Sequence, residues 1–358
     1  KLSGVWIMAY TTIDDPTNFF NTVLYTGDGT AIGSGGQAIT GVGFAPSWTW
    51  IKERSSTSPH KLLDTVRGAT KELESSGTDA EATTAESLAT FGSDGFTVGN
   101  NGAVNQSSQT YVSWNWKAGS SASSNSDGTI TSSVSVDTTH GFSIVSYTGN
   151  ATSGATVGHG LGAVPGMILI KNRDDGSTNW NLLHKSLTGT TSLFLDLQNQ
   201  ADSDAKYFNN TNPTSSVFTL GNYNDANGNS QAHIAYCFAE KQGYSKFGSF
   251  TGNGNDNGSF VNTGFRPAWV MIKLKSGTDH WPIDDNKRAP HNIMQTTLRA
   301  NLDNADYTGS AYGIDFLSNG FKLRNDDGQY NLSDGIFVYM AFAEQPFVNS
   351  SGVPCNAR

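Results

Sequence analysis

The sequence PSWTWIK, residues 46–52, alternates bulky side chains with small or polar ones and ends on a lysine six positions after its proline. The same spacing returns in PGMILIK, residues 165–171, and in PAWVMIK, residues 267–273. A period of two is typical of a β-strand. One strand that recurs at intervals of roughly 100 residues predicts three structural units of similar fold.

Further landmarks recur in one order around each copy of this strand. An aromatic-Thr-Gly element precedes the proline, at residues 25–27, 147–149 and 250–252. A short element follows the lysine, centred on Phe96, Phe218 and Phe321. A closing strand comes last, at residues 111–118, 233–240 and 337–344. Each unit of ~100 residues has the size of a small domain, so the order predicts a tandem repeat.

The composition indicates a globular chain rich in turns. Of its 358 residues, 36% are hydrophobic and 15% charged, and 40 are glycine, a balance that favours β-structure over charged amphipathic helices. The net charge of -9 and the lack of a Lys/Arg run argue against a nucleic-acid partner. Since no apolar run approaches the ~18 residues needed to cross a bilayer, we predict no membrane span.

We predict an all-β chain of three tandem β-sandwich-like units, of jelly-roll or lectin-like type, with little helix. The best helix candidate is TDAEATTAESLATF, residues 78–91, where a Thr or Asp could cap a short amphipathic turn. The predicted boundaries are 1–12 for an apolar N-terminal strand segment, 13–119 for repeat 1, 120–140 for a flexible Ser/Gly-rich linker, 141–243 for repeat 2, 244–348 for repeat 3 and 349–358 for a frayed C-terminal tail.

No motif predicts catalytic residues or a cofactor. The seven histidines have no metal-ligand spacing, no G-x-S-x-G elbow is present, and two cysteines make no disulfide framework. The loop GNGNDNGS, residues 252–259, supplies oxygen ligands for a hard cation such as calcium, but its single carboxylate favours a solvated hairpin turn. We therefore predict no enzyme, no metal site and no cofactor.

The recurring lysines and tryptophans allow structural and functional interpretations. Lys52, Lys171 and Lys273 are interpreted as charges that keep strand ends soluble. Most tryptophans lie in strand blocks and are expected in the core. Trp180 and Trp281 precede a strand of units two and three, so they are the candidates for exposed rings that stack on glycans.

Six Asn-x-Ser/Thr triplets without an intervening proline make possible glycosylation sites, which matter only in a cell with the machinery. They are Asn105, Asn150, Asn209, Asn257, Asn331 and Asn349.

The sequence of the repeats resembles an uncharacterised family of bacteriophage tail-fibre and virion-surface proteins that is common in aquatic viral sequences. The resemblance runs roughly from Ile13 to Val348 and includes IDDPTNFFNTVLYTGDGT (13–30), YVSWNWKAG (111–119), VGHGLGAVPGMILIKNR (157–173), TGFRPAWVMIK (263–273) and FLSNGFKLR (316–324). It implies a surface appendage, extracellular or on the virion, rather than a metabolic enzyme. In that family the region often follows a concanavalin-like domain, in place of which this chain has a short apolar segment.

Two functional hypotheses follow. The first is a non-enzymatic structural subunit of an extracellular or virion-borne fibre or filament, which binds copies of itself head to tail. The joint would be the N-terminal strand with Val5, Trp6, Ile7, Met8 and Tyr10, added to a sheet edge of the next subunit. The alternative is a tail-fibre adhesin whose loops bind cell-surface glycans.

Overall fold

The computed structural model describes residues 9–356, in which the named strands all pair antiparallel. Each helix in this range is a single turn. The α-helical turns are α1 (Gly102–Asn105), α2 (Ala205–Phe208), α3 (Asn224–Asn227) and α4 (Gly328–Asn331), and 3-10 turns lie at Pro16–Asn18, Ile32–Ser34 and Ser310–Tyr312. The predicted all-β class is confirmed. Within residues 9–356, no helix has the length and hydropathy needed to cross a membrane.

The strands fall into three groups, which we call units 1, 2 and 3. Unit 1 holds β1 (Phe20–Thr26), β2 (Gln37–Thr40), β3 (Trp48–Glu53), β4 (Lys61–Asp64), β5 (Lys71–Glu72), β6 (Ala82–Thr83), β7 (Leu88–Gly92), β8 (Gly95–Val98) and β9 (Thr110–Trp116). Unit 2 holds β10 (Ser123–Asn125), β11 (Ser132–Asp137), β12 (Phe142–Thr148), β13 (Thr156–Gly158), β14 (Pro165–Asn172), β15 (Asn181–His184), β16 (Thr191–Phe194), β17 (Asp202–Ser203), β18 (Val217–Thr219) and β19 (Ala232–Ala239). Unit 3 holds β20 (Ser245–Thr251), β21 (Phe260–Asn262), β22 (Phe265–Leu274), β23 (Pro282–Asp285), β24 (Thr296–Arg299), β25 (Tyr307–Thr308), β26 (Ile314–Leu317), β27 (Gly320–Leu323) and β28 (Ile336–Pro346).

Each unit contains a large sheet with the same strand order. The orders are β1-β9-β3-β4 in unit 1, β12-β19-β14-β15-β16-β17 within the sheet of unit 2, and β20-β28-β22-β23-β24-β25 in unit 3. The closing strand therefore always lies between the first strand and the strand that carries the recurring lysine. Pro46, Pro165 and Pro267 lie at the entry to this lysine-bearing strand or within its first residues. The common order supports the repeat proposed from the sequence.

A smaller sheet covers one face of each large sheet and makes the unit a sandwich. The small sheets are β2-β8-β7, β13-β18 and β21-β27-β26. Phe96, Phe218 and Phe321 lie in them and are buried. In unit 1, for example, Phe96 shares a hydrophobic cluster with Tyr111 of the large sheet. Burial of such aromatic side chains, at about 1.5–3 kcal/mol each, stabilises the sandwich.

The opposite faces of the three large sheets meet in a single core. Trp116, Phe238 and Phe342 occupy matching positions on the closing strands, and their ring centroids are 6.5, 5.6 and 5.9 Å apart in pairs. Since both faces of each large sheet are covered, the lysine-bearing strands are buried nearly throughout. The units surround one core and are not arranged in a line, so a single chain lacks the length of a linear array.

Residues 120–140, predicted as a flexible linker, instead belong to the sheet of unit 2, so that prediction is wrong. Strand β11 pairs with the outer edge of β12, from Ser132 opposite Tyr147 to Asp137 opposite Phe142, and β10 pairs with β11. Val134 is buried in the sandwich core of unit 2. The serines alternate with valines at the period of a strand, a pattern that the Ser-rich composition concealed.

Two other local predictions are also wrong. The candidate helix at residues 78–91 is instead turns with β6 and the start of β7, because Leu88 is its one buried large apolar residue and no apolar stripe exists to support a helix. The C-terminal tail, predicted as frayed, folds back as far as the described residues reach. Its Cys355 amide donates to Phe347 O at 2.9 Å, and Cys355 Sγ lies 3.0 Å from Ser318 O.

Candidate functional site

The junctions between units bury the recurring lysines. Lys171 Nζ of unit 2 donates to Thr78 O of unit 1 at 2.8 Å, and Lys273 Nζ of unit 3 donates to Gln198 O of unit 2 at 2.7 Å. Lys52 Nζ donates to the carbonyl of the residue that follows it, at 2.5 Å. All three lysines have 0% exposure. The prediction that they keep strand ends soluble is therefore wrong.

The strand period explains this burial. Trp48 and Trp50 point into the shared core, so Lys52, two positions on, lies on the same face of β3 and is directed at the neighbouring unit. Burial lowers the pKa of Lys52 to about 8, although nearby carboxylates, Glu53 first among them, partly oppose this. Burial likewise lowers the pKa of Lys171 and of Lys273 to about 8.

A backbone hydrogen bond crosses each junction at a corresponding position. The residue two places after each lysine accepts an amide proton from the next unit, and the pairs are Glu81 N to Arg173 O (2.8 Å), Ala201 N to Lys275 O (2.9 Å) and Asp306 N to Arg54 O (2.8 Å). Ion pairs of 2.8 Å between Arg173 and Glu81 and between Arg54 and Asp306 reinforce two of the three. Unit 2 thus contacts unit 1, unit 3 contacts unit 2, and unit 1 contacts unit 3, in a closed ring.

A ring nitrogen from each unit also hydrogen-bonds to a carbonyl of its neighbour. Trp180 Nε1 donates to Glu74 O at 2.7 Å, and Trp281 Nε1 donates to Phe194 O at 2.9 Å. His60 Nε2 is the counterpart in unit 1 and lies 3.0 Å from Arg299 O of unit 3. Trp180 and Trp281 are 0% and 2% exposed, so the prediction that they are exposed for glycan stacking is wrong.

Buried ion pairs complete two of the junctions. Arg67 pairs with Asp64 in unit 1, and the Asp64 carboxylate accepts the hydroxyl proton of Tyr236 from unit 2 at 2.8 Å. In unit 3, Asp285 pairs with Arg288 and accepts a hydrogen bond from Trp114 Nε1 of unit 1 at 3.1 Å. Burial lowers the pKa of the Arg67 guanidinium, but the carboxylate of Asp64 more than offsets this and the pKa is raised. These groups lie away from solvent and bond to one another, which suits them to fixing the units in place.

One cavity that is open to solvent lies on unit 3. It has a volume of about 710 Å³, and four separate loops form it, with Asp256, Ile293, Ser310, Arg324 and Asp326 among its lining residues. Ile293 is 45% exposed. A second groove on unit 3, of about 520 Å³, is lined by Tyr10, Lys246 and Gly264 among others. In both, polar side chains converge in contact with solvent.

Comparison with known proteins places the whole arrangement in one family. Residues 15–346 match the model of a domain of unknown function, DUF7483. The chain belongs to the DUF7483 family. The match spans all three units, so the DUF7483 domain corresponds to the closed ring rather than to one unit. Searches of curated proteins and of solved structures found no match.

The proposed N-terminal joint of this DUF7483 chain is only partly described. Val5, Trp6, Ile7 and Met8 lie outside the described residues. Tyr10 is described, and its hydroxyl donates to Gly264 O of unit 3 at 2.6 Å while its ring meets Phe347 edge-on at 6.3 Å between centroids. Thr11 Oγ1 donates to Gln242 O at 2.7 Å. Tyr10 therefore contacts unit 3 of its own chain, and Thr11 contacts the turn that joins units 2 and 3.

The candidate glycosylation sites divide by exposure. Asn150 and Asn257 are exposed, and Asn209 and Asn349 are half-buried. Asn105 and Asn331 have 0% exposure, which is incompatible with a glycan on the folded chain.

Sequence reasoning missed a structural role for two of these asparagines and for Asn227. Asn105 Oδ1 accepts from Asp28 N at 2.9 Å, and Asn331 Oδ1 accepts from Asn253 N at 2.9 Å, which fixes the loop after the first strand of the unit. Asn227 does the same in unit 2. Each lies six residues before the aromatic or histidine that opens the closing strand, a regular spacing that could have revealed the role.

The glycine-rich loop at residues 252–259 uses its oxygens in its own turns. Asn253 Oδ1 accepts from Asn255 N at 3.2 Å, and Asn255 Oδ1 accepts from Asn257 N at 2.8 Å. Over residues 9–356, no three His, Cys, Asp or Glu side chains are grouped as a metal site would require.

Proposed function

We propose that this DUF7483 protein is a non-enzymatic structural subunit of an extracellular or virion-borne fibre or filament. The observation that carries the proposal is the closed ring of three junctions. At each junction a buried charged group is hydrogen-bonded across units, which makes the three sandwiches one rigid block. Hydrogen bonds to charged groups contribute about 1.5–3 kcal/mol each, so the block resists opening.

The surface chemistry agrees with a role as a building block exposed to water. The net charge of -9 and the abundance of Asn, Ser, Thr and Gly favour solubility of the surface that is not used for contacts between subunits. The proposed joint is residues 5–8 of the N-terminal strand, added to a sheet edge of the next copy, while Tyr10 anchors the segment to unit 3 of its own chain. Strand β20 ends the large sheet of unit 3 and strand β1 ends that of unit 1, so both are edges of the kind that accepts a strand.

Negative-stain imaging of purified protein tests this proposal. We expect filaments or short head-to-tail oligomers, and we expect a variant that lacks residues 1–8 to remain folded but monomeric. The Tyr10→Phe variant is the matched control, since it removes one hydrogen bond and keeps the segment. Monomers of the full chain at all concentrations would contradict the structural role, and filaments of unchanged helical repeat from the truncated chain would contradict the joint.

The second candidate function is a glycan-binding adhesin. One observation favours it: the cavity of about 710 Å³ on unit 3 falls in the range of ligand sites and is open to solvent. A glycan array distinguishes the two functions, because a purely structural subunit gives no selective signal.

A further inference from the structure

We propose that the 710 Å³ cavity on unit 3 binds a neutral saccharide. This inference rests on the second candidate function and moves its site away from the buried Trp180 and Trp281. We call this cavity the unit 3 cleft. Its walls are formed by residues 256–257, 293–295, 310–311 and 324–326. The ligand is defined by chemistry alone: an uncharged ring that carries hydroxyl groups on a partly apolar body.

Four polar side chains of the cleft are free to bind a ligand. Asp256 and Asp326 are exposed, and their carboxylates take no hydrogen bond from the described chain. The side chains of Asn257 and Gln295 also have none, so two amides and two carboxylates face the same space. Carboxylates accept from sugar hydroxyls in charge-assisted hydrogen bonds, and amides both donate and accept.

Two other walls are held in place by the fold. Arg324 Nε pairs with Asp315 at 3.1 Å, which fixes one side of its guanidinium and leaves donors for a ligand. The Asn292 side chain donates to Phe316 O at 2.9 Å and accepts from Phe316 N at 3.0 Å. These bonds anchor the neighbouring Ile293, whose exposed side chain offers the apolar contact that the carbon face of a sugar ring needs.

Side chains tie the loop after the first strand to other loops in units 1 and 2. In unit 3 they tie this loop to the 324–326 wall alone, where Asn331 Nδ2 donates to Asn255 O at 2.9 Å and to Asn325 O at 2.8 Å. In unit 1, Glu86 Oε2 accepts from Ile32 N at 2.9 Å and from Asn100 N at 3.1 Å, which joins the loop after the first strand to the loop before α1.

In unit 2, Ser153 Oγ donates to Asn209 Oδ1 at 2.8 Å and joins the equivalent loop to the residues after α2. In unit 3, no side-chain hydrogen bond described for the chain links residues 253–257 to residues 293–295 or 309–311. The walls at residues 293–295 and 310–311 therefore stand apart from the 253–257 loop, and the cleft stays open.

The charge of the cleft selects the class of saccharide. Arg324 is already paired with Asp315, so the carboxylates of Asp256 and Asp326 leave the cleft with net negative charge. An anionic sugar, sialylated or sulphated, would be repelled at this short range. A neutral hexose or N-acetylhexosamine suits the same groups.

The test uses the full-length protein on a printed array of neutral, N-acetylhexosamine, sialylated and sulphated oligosaccharides. We expect selective binding to neutral members, and at least a tenfold loss of apparent affinity in the double variant D256A/D326A. Because these two side chains have no hydrogen bond within the described chain, the variant should fold, and its thermal transition checks this. The matched control is N100A/N222A, which truncates exposed side chains at the comparable loops of units 1 and 2.

Three outcomes would overturn the inference. They are an array without selective signal, a signal confined to sialylated or sulphated members, and neutral binding that D256A/D326A leaves unchanged. None of these bears on the structural proposal, which imaging of the same preparation decides separately. Loss of neutral binding in D256A/D326A with retention in N100A/N222A supports the cleft.

Discussion

Replacing Lys171 by methionine measures how deeply the junction buries its ammonium. The methionine keeps the length of the side chain and removes the charge. Two effects oppose each other at neutral pH: the variant leaves the carbonyls of Thr78 and Thr178 without a donor, at about 1–3 kcal/mol each, and it removes a buried charge. The dependence of stability on pH separates them.

The sign follows from the lowered pKa. The pKa of Lys171 is 10.5 in the unfolded chain and about 8 in the folded one, so between these values the unfolded state binds more protons and stability rises with pH. This gain in the free energy of unfolding is complete above pH 10.5 and is lost as the pH falls to 8. At pH 9 the unfolded lysine holds nearly its whole proton and the folded one about a tenth, which gives a slope of about 1.2 kcal/mol per pH unit.

Urea unfolding followed by tryptophan fluorescence at pH 8.5, 9.0 and 9.5 supplies the slope. We expect K171M to lower the slope of the free energy of unfolding by about 1.2 kcal/mol per pH unit relative to wild type. The tyrosines titrate alike in both proteins, so their contribution to the slope cancels in the comparison. K52M and K273M should behave in the same way, and K287M, at an exposed lysine, should not. Equal slopes in wild type and K171M would refute the buried ammonium.

Three further perturbations probe the core and the surface. Arg67→Met leaves the buried carboxylate of Asp64 without its partner, so we expect the free energy of unfolding to fall by about 3–5 kcal/mol in the same urea assay. The double variant D64N/R67M removes the charge as well and should recover most of this loss. Trp116→Ala should cost about 3–5 kcal/mol, and a loss below about 1 kcal/mol would mean that the units do not share this core. Peptide mass spectrometry of folded protein secreted from a glycosylating cell should find no glycan on Asn105 or Asn331, and occupancy of either would contradict their burial.

Local alternation was enough to predict the strands but not what covers them. The pattern from Trp48 to Lys52 shows which residues share a face, and this is a property of the strand alone. Whether that face meets solvent depends on the other units, more than 100 residues away in the chain. The burial of Lys52 and of Trp180 therefore had no local signal, and both predictions of exposure were wrong.

Composition misled where it disagreed with periodicity. The Ser-rich stretch at 120–140 suggested a flexible linker, yet its alternating valines, Val134 and Val136, pack against the sandwich of unit 2. The unit 3 cleft was invisible for another reason. Asp256, Ile293 and Arg324 come from loops up to 68 positions apart in the numbering, so no short motif brings them together.

The attachment of both chain ends to unit 3 determines how the protein would bear tension. Tyr10 is bonded to Gly264, and the Asp14 carboxylate accepts the amide proton of Ser350 at 2.6 Å, so the first and last described residues leave from the same unit. A pull between Ala9 and Asn356 would load these contacts at the margin of unit 3 before it reached the sheets of the three units. The chain ends would detach before the ring opened, because fewer contacts hold them. A subunit pulled in this way would lengthen first by extension of its terminal segments, while the three units kept their folded length.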